Sequence, residues 1–115
     1  MEKKIRVAQT LSRLLLTTTV RRIVLDKVKY TIDTVLEDIR ERNAYPKMEL
    51  KEDCKVVQHL GFSSLDVAEL IALLELELGV DPFSEGVSIM EVHTIGELYR
   101  VYRAVLEQEM ALETQ

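Results

Sequence analysis

A small all-α fold is predicted by three observations. Gly and Pro total only six among 115 residues, too few for the frequent tight turns of a β-sandwich or barrel. Leu, Glu, Val, Lys and Arg dominate, a composition that favours helices. Apolar residues recur at helical spacing along most of the chain. Aromatics are scarce, with four Tyr, two Phe and no Trp, so the core is expected to be Leu, Ile and Val. The length predicts one domain with room for an appendage.

Taken in order, the elements follow from pattern. Between Lys3 and Val28 apolar residues fall at Ile5, Ala8, Leu11 and Leu14 or Leu15, but the β-branched run Thr17-Thr18-Thr19-Val20 weakens a helix. Residues 1–28 are therefore expected to be a helical N-terminal extension, with the threonines as the place where it would break. The domain proper is expected over 29–110, with a tail at 111–115. Ile32, Val35, Leu36 and Ile39 line one stripe over 29–42, with Asp33, Glu37, Asp38 and Glu41 on the other side. Asn43 and the following Tyr45-Pro46 end that helix, because the residue before proline avoids the α region. Residues 43–62 read as a long loop with a short turn near 52–57, and loops of that length in small domains are usually functional.

The next helix is the clearest, from about Ser64 to Leu78. Ser63 with Asp66 fits a capping box, Asp replacing the usual Glu or Gln, and Gly79 stands where a C′ glycine belongs. Leu65, Val67 or Ala68, Leu70, Ile71, Leu73, Leu74 and Leu78 are its apolar residues. Asp66, Glu69, Glu75 and Glu77 are its polar ones, so its exposed face is expected to be acidic. Asp81-Pro82-Phe83 turns the chain, and Ser84–Met90 reads as a short helical turn. Thr94-Ile95-Gly96-Glu97 is a second capping pattern, after which Ile95, Leu98, Tyr99, Val101, Tyr102 and Val105 define a last helix ending near Glu109. Three main helices and a short one predict a bundle.

Composition narrows the function. One cysteine, Cys54, rules out an internal disulfide framework and a multi-thiolate metal site. It predicts a reducing compartment, and a small apolar filler is the expected role. Two histidines, His59 and His93, make no metal cluster. No apolar run approaches the ~20 residues that span a bilayer, and Leu14-Leu15-Leu16 gives way to threonines too soon for a secretory segment. The net charge of −5 hides an asymmetry: residues 1–30 carry +6 and residues 31–115 carry −11. Nucleic-acid binding is not expected, because the basic arm lacks interleaved aromatics and the acidic body would repel phosphates.

The most informative stretch is Leu60-Gly61-Phe62-Ser63-Ser64-Leu65-Asp66. Ser63 can cap the helix, which leaves Ser64 at the first helical position with its hydroxyl toward solvent. A phosphate there would sit at the positive end of the helix dipole beside unpaired backbone N–H groups. Taken alone, such a motif is more often just a helix start. His59, five residues earlier, is far more often coincidence than a general base.

With its continuation through Val67-Ala68-Glu69-Leu70 and Leu74-Glu75-Leu76-Glu77-Leu78-Gly79-Val80, this stretch resembles the acyl carrier protein family. That family's signature is a D-S-L tripeptide after a leucine and a glycine, opening an acidic helix. Val92-His93-Thr94-Ile95-Gly96-Glu97-Leu98 is similar to the family's T-V-G-D-L start of the last helix, and the resemblance covers roughly residues 29–110. It implies a non-catalytic carrier with 4′-phosphopantetheine, derived from coenzyme A, attached at Ser64 and bearing acyl intermediates as thioesters. It further implies that Asp66, Glu69 and Glu75 dock basic patches on partners: a phosphopantetheinyl transferase, and acyl-loading and acyl-processing enzymes of fatty-acid, polyketide or related biosynthesis. Ser63 and Thr94 are the expected helix N-caps. Two departures stand out: Ser63 replaces the family's usual Asp, and Leu76 replaces an acid common among relatives. Alternatives are an aminoacyl or peptidyl carrier, or an unmodified acidic docking module, which the Ser63 replacement favours. The basic arm is read first as an extra docking helix, with a transit peptide, a membrane-surface helix and self-association as rivals. A cytoplasmic monomer is expected, or an organellar one if residues 1–28 act as a transit peptide.

Overall fold

The computed structural model describes residues 18–85, 88–89 and 92–113. Among these, three helices form the protein: α1 (Thr18–Arg42), α2 (Ser64–Leu78) and α3 (Ile95–Glu113), with a 3₁₀ turn at Pro82–Glu85. No strand forms among the described residues, and extended pairing is limited to an isolated antiparallel bridge between Lys55 and Thr94.

The first helix corrects the expected layout. It runs without interruption from Thr18 across the expected boundary at 28/29, and the break expected at the threonines falls where the described residues begin. Val28 is completely buried, and Val24 and Leu25 lean against the core, so the stripe of Ile32, Val35, Leu36 and Ile39 continues backward by another turn. The packed unit therefore begins before residue 29. The expected helical reading of residues 1–17 lies outside the described residues.

The remaining helices carry smaller corrections. Gly79, at φ 77° and ψ 10°, closes α2 in the left-handed conformation, its N–H donating to Glu75 O at 2.9 Å. Of the short helical turn expected over 84–90, Ser84 and Glu85 fall in the 3₁₀ turn at Pro82–Glu85 and Ile89 is again in 3₁₀ conformation; residues 86, 87, 90 and 91 lie outside the described residues. α3 runs to Glu113 rather than stopping near Glu109, because buried Met110 extends the stripe of Val105 and Leu106.

α1 lies antiparallel to both other helices. Its C-terminal half meets α2, where Tyr30 and Asp38 share a groove with Leu73 and Glu77. Toward its start it meets α3: Tyr99 donates its hydroxyl to Asp33, and Arg103 Nε donates to Leu25 O at 3.4 Å. Ile32, Leu36 and Ile39, Leu70 and Leu74, and Ile95, Leu98 and Tyr102 fill the core with Phe62. Each buried aliphatic side chain stabilises by about 1.5–3 kcal/mol. The Tyr102 ring stands edge-on to Phe83, centroids 6.2 Å apart, and its hydroxyl is buried without a hydrogen-bond partner among the described residues.

The long loop between α1 and α2 is pinned at both ends. The buried Arg40 pairs with Glu37 and donates to Met48 O at 2.7 Å. Further on, Val56 N donates to His93 O, Ile95 N to Cys54 O and Gly96 N to Glu52 O, each at 2.9 Å. Gly96 is required by this close approach, since a Cβ there would stand 3.0 Å from Glu52 O. These ties press residues 54–58 against the start of α3.

Candidate functional site

The N-terminus of α2 is built by two neighbouring hydroxyls with different duties. Ser63 is the cap, at φ −81° and ψ 173°, and its Oγ accepts from Asp66 N at 3.2 Å while Asp66 Oδ2 accepts from Ser63 N at 2.9 Å. Ser64 is therefore the first helical residue. It is exposed, and among the described residues no hydrogen bond engages its hydroxyl. Its position beside the unpaired amides of the first turn favours an anionic substituent.

Beside Ser64 opens a cavity of about 470 Å³. Val67, Ala68, Leu70 and Ile71 of α2 form one wall, Val56, Val57 and Gln58 a second, and Ile89, Val92 and His93 a third, with Leu98 of α3 at the base. The lining is almost wholly apolar; Gln58, Ser64 and His93 are its polar members.

Asp66 does not stand on the docking face the resemblance assigns to it. It is 7% exposed and its carboxylate is committed internally: Tyr45 Oη donates to Oδ2 at 2.5 Å and Asn43 Nδ2 to Oδ1 at 3.2 Å, in addition to the Ser63 amide. The Tyr45 hydroxyl, then the Ser63 amide, hold this carboxyl below its ordinary range despite the opposing effect of burial. Tyr45 is raised in turn by the same bond. Asn43 and Tyr45, which sequence reasoning passed over as a helix stop, thus clasp the end of α1 to the start of α2. The available signal was the place of Asp66 on α2, at the flank of the buried Leu70–Leu74 stripe.

Glu69 is half-exposed and paired with Arg42 Nη1 at 2.8 Å, and Arg42 also bonds Asp38 at 3.0 Å. Glu75 is half-buried, close enough to Tyr102 to help Asp81 and burial raise that phenol. The expected acidic face of α2 is instead mostly apolar: Leu65, Ala68, Ala72 and Leu76 are exposed, with Glu77 beside them. Leucines on both sides of the helix explain the misreading, since one stripe builds the core and the other faces water.

α3 also opens on a capping box. Glu97 N donates to Thr94 Oγ1 at 3.1 Å, and Glu97 Oε1 accepts from His93 N at 2.8 Å and Thr94 N at 2.9 Å, which hold the Glu97 carboxyl low. His93 itself is exposed. His59 spends its Nδ1 on Lys55 N at 2.8 Å and is absent from the cavity wall. Cys54 is buried, its Sγ 3.7 Å from Glu49 O. Among the described residues no cluster of His, Cys, Asp and Glu could hold a metal ion, and no helix is long and apolar enough to cross a membrane.

The chain matches no family model and no curated protein. It does match the solution structure of MacpD, an acyl carrier protein from Pseudomonas fluorescens involved in mupirocin biosynthesis. The identity is 32% and the TM-score 0.61, over 74% of this chain and 76% of that one. The chain belongs to the acyl carrier protein family. As an acyl carrier protein it offers, at one end of α2, an exposed hydroxyl, a helix N-terminus and an apolar cavity within a few side chains of each other.

Proposed function

We propose that this protein carries acyl intermediates as thioesters on a 4′-phosphopantetheine arm attached through Ser64 Oγ. The observation that carries this reading is the division of labour between the two serines: Ser63 is consumed by the cap, and Ser64 is exposed and opens on the cavity. The surroundings suit the group. The first-turn amides and the helix dipole would stabilise its phosphodiester, and the walls formed by Val67, Ile71, Val92 and Leu98 would shelter apolar chain from water. When attached, the arm supplies the thiol that holds the cargo. This chain's own residues orient the attachment point and keep the cavity dry. The role of MacpD in mupirocin biosynthesis supports biosynthetic enzymes, including a phosphopantetheinyl transferase, as partners. Fatty-acid and polyketide assembly both fit such a cavity.

The test is to incubate wild type, Ser63→Ala and Ser64→Ala with coenzyme A and a broad-specificity phosphopantetheinyl transferase, then weigh the intact proteins. Wild type and Ser63→Ala should gain one arm, and Ser64→Ala none. Ser63→Ala should lose about 0.5–2 kcal/mol of stability with its cap. A mass gain in wild type and Ser64→Ala but not in Ser63→Ala would place the attachment one residue earlier. No gain in wild type would favour the unmodified docking module.

A further inference from the structure

The family likeness leads one to expect partners with basic patches; the surface of α2 points elsewhere. Leu65 and Leu76 are 77% and 68% exposed, and with Ala68 and Ala72 they fall on one solvent-facing stripe at helical spacing. The two leucines lie about 16 Å apart along the axis. Of the four acids on α2, Asp66 is buried in its clasp, Glu69 is paired with Arg42 and Glu75 is half-buried, which leaves Glu77 as the exposed one beside the stripe. A helix that is apolar on its buried side and again on its exposed side is normally covered by something.

We infer that this stripe is the docking surface for the enzymes that act at Ser64, and that those enzymes present an apolar patch to it rather than a basic one. The inference rests on the carrier reading, and continuity decides the occupant. Leu65 directly follows Ser64, and Val57 and Ile89, also exposed, share the cavity wall with Ser64. Any partner that reaches the Ser64 hydroxyl must cover Leu65 and this rim, and α2 then leads its footprint to Leu76. A second copy of the chain seated here would hide Ser64, which a carrier must keep within reach. The exposed apolar residue Ile23, near the start of α1 and upstream of its groove with α2, lies outside this surface.

Loading of the whole 115-residue chain by a broad-specificity transferase, read as kcat/KM from intact mass, provides the test. Between about 0.05 and 0.5 M NaCl, where attraction between exposed charges is progressively screened, the rate should change less than about twofold. Leu76→Glu should lower it about tenfold, the size expected of an anchoring contact. Leu76→Gln, which removes the apolar group without adding charge, should reproduce most of that loss, and Ile23→Glu should leave the rate unchanged. Both positions are exposed, and circular dichroism should show intact helix in all three variants. Loading that collapses with salt and ignores both Leu76 variants would overturn the apolar docking surface while leaving the carrier reading intact. A concentration-dependent dimer abolished by Leu76→Glu would also overturn it, assigning the stripe to a second copy. Absence of any loading in wild type would bring down the carrier reading and this one with it.

Discussion

Single side chains decide how the α2 N-terminus is held, and Asp66 is the one with most at stake. Three donors converge on its carboxylate, from Tyr45, Asn43 and the Ser63 amide. Asp66→Asn puts an amide among those donors and should cost about 1–3 kcal/mol at neutral pH. Because the folded carboxyl is held below its ordinary value, the stability it lends is fully present above the unfolded value of roughly 3.9. That stability is lost as pH falls through the lowered folded value. Thermal melts from about pH 7 down to pH 2 should therefore show a gap between wild type and variant that closes in acid. A gap of constant size would mean that the charge is not what the clasp uses. Tyr102 makes the opposite case. Its hydroxyl is buried with no partner among the described residues, and burial, with Asp81 and Glu75 adding, drives its pKa up. Tyr102→Phe keeps the ring against Phe83 and removes an unsatisfied group, so the melting temperature should rise, by up to about 1 kcal/mol in stability. A lower melting temperature would show that the hydroxyl has a partner after all.

At the scale of elements, the start of α1 packs with the domain although the charge pattern set it apart. Val24, Leu25 and Val28 continue the buried stripe, and the helix crosses the expected boundary at 28/29 unbroken. A truncation that removes residues 1–17 spares all of the described α1, whereas one that removes residues 1–27 takes Val24, Leu25 and the carbonyl bonded by Arg103. The longer deletion should be less stable than the shorter by about 2–4 kcal/mol, from two partly buried aliphatic side chains and the shortened helix. Equal denaturant midpoints would show that these contacts contribute nothing. α2 was legible at both ends because its signals are local: Ser63 with Asp66 three residues on, and a glycine at the stop. The inward turn of Asp66 was not, since its partners Tyr45 and Asn43 lie more than twenty residues away and no periodicity relates them. Likewise, nothing in the local pattern around Gly96 shows that Glu52 O presses against it. The exposed stripe of Leu65, Ala68, Ala72 and Leu76 was open to sequence inspection, but four acids on the same helix drew the reading toward charge.

For the molecule as a whole, the helical architecture followed from composition and spacing, and Ser64 was singled out by register together with the family resemblance. What sequence could not supply was how the two ends of the bundle differ. Where α2 is present, α1 is sandwiched by two helices, a clasp and the pinned loop. Before about residue 28 its helical partner is α3, through Leu25 and Arg103. That asymmetry has a kinetic meaning. Backbone amides exchange with deuterium through openings whose free energies range from near zero to that of global unfolding, in cooperative blocks. The amides of α1 upstream of Val28 and of α3 beyond Arg103 should exchange together, through a local opening that leaves the rest folded. Those of Ile32–Ile39 and Leu70–Leu74 should wait for the whole domain. An exchange profile uniform along α1 would deny the division. If the two blocks separate, the end of the molecule remote from Ser64 can loosen and re-form many times while the attachment point stays in register.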